Sequence, residues 1–429
     1  MKNAWTRLFI KTSNGKRDDY IWNTAAAGAS ALQTVLLLVA IGRICGSDAA
    51  GLFSIGYAIA NLLFFVGTMY GRRFQVSDIR EEYQFEDYLS TRILTCTIMM
   101  LTAIVVCICG YIFADYDLMK CMIIMLLSGV RCTDAFVEVH YGRFQQLFKL
   151  YISGRINVFR LATNATIYIC ALAIMRQLLV PTIIFLCTSV VTFSLSSALI
   201  GREFHGPKVG FRFEKIREII KHCFPLFVSI FLLMYIVNAP KYVIDTEMTY
   251  TDQAVFNYIS MPVFAIRSLS NVIFNPIMAD LSLNWEQKDY SRFRSKVYRQ
   301  FKIIIGICLV GTSLAYLFGI PVLSWLYNYD LSQYRIHLTI LIAGGGFHAT
   351  ANFLVIVTTI MRIQWRATVA YIITAALTFF LGPIAIENFG LIGASFQFTF
   401  SMIVLAIIMI AFAMNTMSKP GSDARLQDS

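Results

Sequence analysis

Long apolar runs separated by short polar segments make up most of this chain. A run of about 20 apolar residues spans about 30 Å as a helix, which is the thickness of a bilayer's hydrocarbon core. Helices are expected rather than strands, because lipid offers backbone N–H and C=O groups no partner and each segment must satisfy its own. The pattern predicts an all-α polytopic membrane protein with about twelve transmembrane helices. The predicted spans are 19–42, 48–70, 90–114, 117–140, 153–175, 178–200, 219–239, 253–277, 302–326, 333–358, 367–387 and 390–415.

The distribution of Lys and Arg residues indicates how these spans are oriented. With the N-terminus inside the cell, 28 of the 36 basic residues fall on cytoplasmic segments and only five, among them Lys241, on the opposite side. The other three, Arg131, Arg160 and Arg267, lie within spans. A wrong number of spans would scramble this alternation, because every later loop would change sides. The positive-inside bias therefore favours twelve spans with both termini in the cytoplasm.

A long basic connection divides the predicted spans into six and six. We predict two six-helix lobes joined by a cytoplasmic linker, with a cytoplasmic segment at each end. In chain order these parts are the N-terminus 1–18, the first lobe 19–200, the linker 201–218, the second lobe 219–415 and the tail 416–429. A basic cytoplasmic segment follows the second span of each lobe, a recurrence typical of the internal duplications found in transporters.

Composition agrees with a membrane protein and excludes several other classes. Hydrophobic residues make up 57% of the chain and charged residues 14%, against about a quarter charged in a soluble globular domain. The net charge of +11 does not indicate nucleic-acid binding, because the basic residues are spread over short connections rather than gathered in a domain. The ten cysteines include no CxxC pair, and we interpret them as small hydrophobic residues compatible with lipid.

The chain carries no motif for ATP, a dinucleotide, a zinc protease or a serine hydrolase. We therefore expect no cofactor, no metal and no enzymatic activity. The run Gly344–Gly346 lies within a predicted span. Close helix packing is expected there rather than phosphate binding, because small residues let two backbones approach each other.

Charged residues at membrane depth mark the candidate site, since holding one there costs a few kcal/mol. In the fourth span Arg131, Asp134 and Glu138 occupy positions i, i+3 and i+7, which share one helical face. Two interpretations stay open. Arg131 and Asp134 form an internal ion pair that neutralises both charges, or the face is a hydrated surface that meets the substrate. Both can hold at once.

A second polar stripe lies in the eighth span. Arg267, Asn271 and Asn275 occupy positions i, i+4 and i+8. Arg267 lies too deep to reach either side of the membrane easily, and its own helix offers no carboxylate to pair with it. Its guanidinium group is therefore expected to face water, a partner helix or an anionic ligand, and we predict an anion-binding role.

A third stripe, in the fifth span, contains Asn157, Arg160 and Asn164. Arg160 lies close enough to the cytoplasm to snorkel, an interpretation that we favour over contact with the substrate. Taken together, three buried arginines outnumber Asp134 and Glu138. A cavity lined in this way suits an anionic substrate, because Arg matches phosphate oxygens with two hydrogen bonds at once.

The region from the end of the first span to the second loop contains motifs typical of one transporter family. It reads Arg43–Ile44–Cys45–Gly46, then Ala50–Gly51–Leu52–Phe53–Ser54, then Gly71–Arg72–Arg73–Phe74–Gln75–Val76–Ser77–Asp78. With the six-plus-six plan, these motifs make the chain resemble the bacterial polysaccharide flippases (O-antigen or capsule type) of the multidrug/oligosaccharidyl-lipid/polysaccharide exporter superfamily.

This resemblance implies a V-shaped pair of helix bundles around a central cationic cavity in the cytoplasmic membrane of a bacterium. The implied substrate is an oligosaccharide on a polyprenyl diphosphate carrier, moved from the inner to the outer leaflet, with Arg267 and Arg131 holding the diphosphate or an acidic sugar. Membrane lipid and the polysaccharide polymerase and glycosyltransferases of the same pathway are the implied partners.

Two alternatives remain open at this point. The first is a multidrug or small-solute exporter of the same fold, in which Asp134 or Glu138 would be an essential carboxylate. The interior of the first span, whose amide side chains are Asn23 and Gln33, lacks the carboxylate that cation-coupled drug exporters of the superfamily often keep there. The coupling ion is therefore left undecided. The second alternative, a membrane-embedded polysaccharide polymerase or acyltransferase, is disfavoured by the short outer loops and scattered histidines.

Overall fold

The computed structural model describes residues 15–78, 81–203 and 210–418, and this part of the chain is almost entirely helical, without a strand. The helices are α1 Gly15–Cys45, α2 Ser47–Thr68, α3 Gly71–Ser77, α4 Phe85–Phe113, α5 Leu118–Gln146, α6 Leu150–Met175, α7 Leu179–Glu203, α8 Phe213–Glu247, α9 Tyr250–Glu286, α10 Tyr290–Leu314, α11 Ile320–Tyr327, α12 Arg335–Ile360 and α13 Gln364–Ser418. A π-helical turn, Ala315–Gly319, joins α10 to α11, and a 3₁₀ turn, Ser332–Tyr334, precedes α12.

Twelve helical passes are long enough to cross a bilayer within the described residues. Nine segments qualify by length and apolar composition. One of these, α13, counts as two passes, because Gly390 adopts φ 59° and ψ −138° in its middle and breaks the helix. The helices α5 and α9 have 29 and 37 residues, but their charged side chains lower the mean hydropathy. The predicted all-α fold with about twelve spans is confirmed, and the side of the membrane on which the termini lie stays a prediction.

Several helices extend well beyond the predicted spans. The seventh span was predicted over 219–239, whereas α8 covers Phe213–Glu247 and has 35 residues, a length of about 52 Å at the α-helical rise. The helix continues past the predicted span at both ends, because hydropathy marks the apolar part of a helix and not its amphipathic end turns. As a consequence Lys241, predicted to lie in an outer connection, is part of α8.

The chain divides into two compact units, Met1–Phe231 and Leu232–Ser429. In the first unit α1 packs on α6, and α5 contacts α2, α4 and α7. In the second unit α12 packs on α9, α10 and α13. The division between the units falls inside α8, whose first turns pack through Ile219 and Cys223 against Tyr88 and Val139 of the first unit. The predicted lobes and linker stay a prediction.

Glycine permits the close approach of α1 to α6. A Cβ atom added at Gly154 would lie 2.6 Å from the backbone carbonyl carbon and oxygen of Trp22, closer than real Cβ contacts. A salt bridge at the same end of the two helices, 2.8 Å between Arg155 Nη2 and Asp18 Oδ2, reinforces the packing. These two contacts align the helix that bears Arg160.

The run Gly344–Gly346 in α12 packs closely against two neighbouring helices, as its sequence predicted. A Cβ atom at Gly344 would lie 2.6 Å from Thr399 Oγ1, and one at Gly346 would collide with the Cys308 side chain. The predicted packing role is confirmed.

Arg212, which lies in the predicted linker 201–218, pairs with α4 of the first unit. Its Nε–H donates to Asp87 Oδ1 at 2.8 Å, and the buried Asp87 carboxylate also accepts a hydrogen bond from the backbone N–H of Gln84 at the start of α4. The hydrogen bond with Asp87 raises the pKa of the Arg212 guanidinium above its ordinary value. Arg212 therefore stays positively charged beside Asp87 at every physiological pH.

Candidate functional site

Asp134 of α5 is the centre of a charged cluster in the first unit. Its Oδ2 atom accepts a hydrogen bond from Arg131 Nη1 at 2.7 Å, and its Oδ1 atom accepts one from Arg160 Nη1. Arg131 lies one turn earlier on the same helix, whereas Arg160 comes from α6. The predicted pair of Arg131 and Asp134 is present, and a second arginine joins it.

Arg160 does not snorkel to the cytoplasm, so this interpretation was wrong. Its side chain is only 6% exposed, and its Nη2 atom donates to Asn157 Oδ1 at 3.2 Å. A carboxylate on the neighbouring helix lies within reach, and pairing with it stabilises a buried guanidinium that would otherwise remain uncompensated. The third residue of the stripe, Asn164, has a separate role, because its Nδ2 atom donates to Ser189 Oγ on α7 at 3.0 Å.

Tyr57 of α2 completes the cluster. Arg131 Nη2 donates to the Tyr57 hydroxyl, and the guanidinium carbon lies 4.4 Å from the centroid of the tyrosine ring. The ring thus offers Arg131 a hydrogen-bond acceptor and a cation–π contact. We call Tyr57, Arg131, Asp134 and Arg160 the Asp134 cluster. It joins three helices at one point.

Glu138 forms a second node one turn further along α5. Arg92 Nη2 of α4 lies 3.7 Å from Glu138 Oε2, and Arg92 Nη1 donates to the backbone oxygen of Gly67 at 2.7 Å. Arg72 of α3 is attracted to Glu138 and donates to Gln145 Oε1 at 3.0 Å. The Glu138 side chain is 27% exposed, although its Oε2 atom is buried and has no hydrogen-bond partner in the described structure.

A cleft of about 510 Å³ opens beside Glu138. In this cleft Arg73 lies with its guanidinium carbon 4.7 Å from the centroid of the Tyr70 ring. We call it the Glu138 cleft, and its lining residues are Tyr70, Arg72, Arg73, Val76, Ser77, Glu138 and Gln145. Its wall therefore offers two guanidinium groups, one carboxylate and several neutral hydrogen-bonding groups to a bound molecule.

Positive charge is in excess around these two nodes. Among the described residues, four guanidinium groups surround two carboxylates. The residues are Arg72, Arg92, Arg131 and Arg160 on one side and Asp134 and Glu138 on the other. The Nε–H donors of Arg92, Arg131 and Arg160 are buried and have no hydrogen-bond partner in the described structure. An anion rich in oxygen atoms would supply the charge and the acceptors that this arrangement leaves unsatisfied.

The predicted residues Arg131, Asp134, Glu138 and Arg160 are thus brought together along α5 and α6. The side chains of Arg267, Asn271 and Asn275 lie outside the described residues, although their backbone belongs to α9. Their role stays a prediction.

Sequence reasoning missed three residues of the site, namely Arg72, Arg92 and Tyr57. Both arginines were counted only as basic residues of the cytoplasmic side. Two features of the sequence pointed to them. Arg72 belongs to the motif that carried the family resemblance, and Arg92, although counted with the cytoplasmic residues, falls just inside the bounds of the predicted third span, 90–114. Tyr57 carried no comparable feature.

Solved transporter structures resemble this chain over nearly its whole length. A multidrug resistance MATE family transporter of the MOP superfamily, in an inward-facing conformation, matches 98% of this chain and 98% of its own, with a TM-score of 0.65 and 15% identity. The lipid II flippase MurJ, in an inward closed conformation, matches 92% of this chain and 88% of its own, with a TM-score of 0.73 and 14% identity.

A MOP superfamily transporter from Pyrococcus furiosus, described as having a binding pocket of reversed polarity, matches 96% of this chain and 98% of its own, with a TM-score of 0.55 and 13% identity. No family model and no curated protein matches the chain. At these identities the likeness defines the fold. The chain is a multi-pass membrane protein whose fold is that of the MOP superfamily transporters it resembles.

Proposed function

We propose that this protein is a flippase for polyprenyl-diphosphate-linked oligosaccharide units in the cytoplasmic membrane of a bacterium. It moves them from the inner to the outer leaflet by alternating access, for surface polysaccharide biosynthesis. The observation that carries the proposal is the positive excess of the Asp134 cluster and of Glu138, beside an open cleft. A diphosphate brings several anionic oxygens, which guanidinium groups bind with paired hydrogen bonds.

The cluster suggests a division of roles among the arginines. Arg72 and Arg73 line the Glu138 cleft and meet the diphosphate first. Arg131 and Arg160 are held by Asp134 while the site is empty. A bound diphosphate can replace part of that contact, because a guanidinium that exchanges one anion for another is never left buried and uncompensated. Arg267, Asn271 and Asn275 are proposed as further substrate-binding residues.

The proposed partners follow from the chemistry of the substrate. Glycosyltransferases that build the oligosaccharide on its lipid carrier supply the cargo on the inner leaflet. A polysaccharide polymerase consumes the cargo on the outer leaflet. The flippase itself makes and breaks no covalent bond, so it is a transporter and not an enzyme.

A multidrug or small-solute exporter of the same fold is the second candidate. The observation in its favour is Glu138, a partly exposed carboxylate in the wall of the cleft that could attract a cationic solute. Asp134 fits this candidate less well, because two arginines already occupy its oxygens.

Deletion of the gene tests the proposal, with lipid-linked oligosaccharide measured separately on each leaflet. We expect the oligosaccharide to accumulate on the inner leaflet. The wild type should restore outward delivery, whereas Arg131→Ala, Arg160→Ala and Arg267→Ala should not. Arg292→Ala is the matched control, because Arg292 is a 77% exposed residue in a surface ion pair.

Normal outward delivery in the deletion strain would overturn the flippase proposal. Increased sensitivity of that strain to cationic drugs, reproduced by Glu138→Gln, would instead support the exporter. The two candidates therefore give different results in the same strain.

A further inference from the structure

The helix α10 begins with a strongly basic segment. Between residues 290 and 302 it carries five basic residues and no acidic one. They are Arg292, Arg294, Lys296, Arg299 and Lys302. The distribution of Lys and Arg along the chain predicts that this end of the helix lies on the cytoplasmic side, where basic residues are common. Their number alone therefore does not indicate a binding site.

Ion pairs divide these five residues into two groups. Arg292 pairs with Asp289 at 3.3 Å, and Lys296 pairs with Asp280 of α9 at 2.7 Å. The three that remain are Arg294, Arg299 and Lys302. Their side chains are exposed, and they form no ion pair or hydrogen bond within the described structure. Three positive charges at the start of α10 are thus left without a negative partner.

The unpaired cations lie on the side of α10 that points away from its neighbouring helices. The buried residues of α10 recur every third or fourth position, which places them on one side of the helix. They are Phe293, Val297, Gln300 and Ile304. Arg294, Tyr298 and Lys302 are exposed at i, i+4 and i+8 on the opposite side, and Arg299 lies one turn before Lys302. We call these four exposed residues the α10 basic face.

The same side of the helix continues as an apolar stripe. Ile305 and Leu309 follow Lys302 at i+3 and i+7, and both are exposed. In a bilayer such side chains contact the acyl chains of lipids. Lys302 precedes Ile305 by about 4.5 Å along the helix axis, so the unpaired cations lie at the depth of the lipid headgroups. A phospholipid has a charged end and an apolar end in this same order, whereas a soluble protein would leave the apolar stripe uncovered.

The start of α8 provides a comparison within the same chain. This helix also passes from a polar start to an apolar middle, and its start is predicted to lie on the same side of the membrane. Between residues 213 and 221 it has three basic residues but also Glu214 and Glu218, and Lys215 pairs with Glu218 at 2.9 Å. Mixed charges are thus compatible with the positive-inside bias. The uncompensated excess on α10 needs a further reason.

We propose that the α10 basic face binds the headgroup of one acidic phospholipid of the inner leaflet. Its guanidinium and ammonium groups donate hydrogen bonds to the phosphate oxygens, and the Tyr298 hydroxyl is a further donor. The acyl chains lie along Ile305 and Leu309. The bound lipid is a component of the surrounding membrane and not the transported molecule, so the proposal does not depend on the identity of the cargo.

Binding of this lipid should stabilise the second unit. Arg299 and Lys302 are three residues apart, and like charges at this spacing on a helix repel each other. A phosphate between them replaces the repulsion by attraction. Because α10 packs on α9 and α12 through its buried side, a ligand that binds only the folded helix also stabilises those contacts.

The first test uses the full chain in a neutral detergent, titrated with dioleoyl phosphatidylglycerol. Native mass spectrometry should show one saturable site that dioleoyl phosphatidylcholine does not fill. The double variant Arg299→Gln/Lys302→Gln should bind about twenty-fivefold more weakly, because each cation near an anionic headgroup contributes about fivefold to affinity. Arg299→Lys/Lys302→Arg keeps both charges at the same positions and should retain the site.

The start of α8 supplies the matched control. Arg217→Gln/Lys221→Gln removes the same two charges from exposed positions and should bind phosphatidylglycerol as the wild type does. Equal weakening in the two double variants would overturn the proposal, because it would show a general attraction to positive charge. Absence of a saturable site in the wild type would overturn it as well.

Thermal unfolding gives a second measurement that requires no transport. Phosphatidylglycerol should raise the melting temperature of the wild type and of Arg217→Gln/Lys221→Gln, but not that of Arg299→Gln/Lys302→Gln. The same rise in all three proteins would contradict a site on α10. Failure of the flippase assay would leave this result unchanged, so the two proposals fail separately.

Photocrosslinking identifies the occupant in the native membrane. A benzophenone amino acid in place of Tyr298 should form an adduct with a glycerophospholipid, which mass spectrometry of the α10 peptide would detect. The adduct should disappear when Arg299→Gln/Lys302→Gln is added. An adduct with a protein, or with a polyprenyl diphosphate, would overturn the proposal.

Discussion

The Nη1 atom of Arg131 lies 2.7 Å from Oδ2 of Asp134, one helical turn further along α5. The other oxygen of Asp134 is taken by Arg160 from α6. One carboxylate thus holds two arginines from two helices, while both arginines keep a buried Nε–H without an acceptor. The two ion pairs fix the positions of the guanidinium groups but leave one N–H donor of each arginine without an acceptor. Separate substitutions can test the ion pairs and the remaining donors.

Replacing Asp134 by alanine should destabilise the first unit strongly. The change leaves two guanidinium groups buried and uncompensated, which costs about 3–5 kcal/mol. The free energy of unfolding in detergent measures the effect. Asp280→Ala is the control, because Asp280 pairs with Lys296 at 2.7 Å but is 54% exposed, and loss of such a pair costs about 1 kcal/mol or less. Equal losses in the two variants would contradict a buried pair at Asp134.

Tyr57→Phe should weaken the Asp134 cluster while preserving its shape. The ring and its cation–π contact remain, but Arg131 loses a hydrogen-bond acceptor, at a cost of about 1.5–3 kcal/mol for a charged donor. Unfolding measurements should show the loss, whereas Tyr111→Phe at an exposed position should leave stability unchanged. A neutral result for Tyr57→Phe would mean that the hydroxyl is not an acceptor for Arg131.

Gly154→Ala should disrupt the packing of α1 on α6. The added methyl group would collide with the backbone carbonyl of Trp22, and backbone atoms cannot move aside as the end of a flexible side chain can. We expect lower thermal stability and lower transport together. Gly306→Ala on α10 is the control, because nothing lies within 4 Å of its added Cβ and alanine favours the helix by about 0.5–1 kcal/mol. A tolerated Gly154→Ala would contradict this helix contact.

Oxidation should link Cys107 to Cys121 and so verify the register of α4 against α5. Each sulfur lies 3.7 Å from the backbone oxygen of the other residue, and both thiols are free. Treatment with a copper–phenanthroline oxidant should protect both thiols from later alkylation, as mass spectrometry of their peptides would show. In Cys121→Ser the Cys107 thiol should stay reactive. Full alkylation of the oxidised wild type would exclude the register.

The spacing of residues along α5 was sufficient to predict part of the site. Positions i and i+3 meet on any helix, so the pair of Arg131 and Asp134 followed from the sequence alone. Arg160, which binds Asp134, lies 26 positions further along the chain, on another helix. Arg92, which contacts Glu138, also belongs to another helix. Such contacts depend on which helix faces pack together. Spacing within one helix does not encode that.

The helix ends show a similar limit. Apolar runs predicted the existence and order of the passes, since each must fill the hydrocarbon layer. They did not predict how far α8 and α9 continue through polar turns, and Lys241 was therefore assigned to a connection. A lysine in an amphipathic end turn and a lysine in a loop look alike in hydropathy, and only the neighbouring helices distinguish them.

The turns on the predicted outer side are very short. Gly46 alone separates α1 from α2, residues 114–117 connect α4 to α5, and residues 248–249 connect α8 to α9. These connections project too little from this side to offer another protein a binding surface. A polymerase that receives cargo there would have to recognise helix faces laterally, within the lipid, and its affinity should then depend on the bilayer that surrounds both proteins.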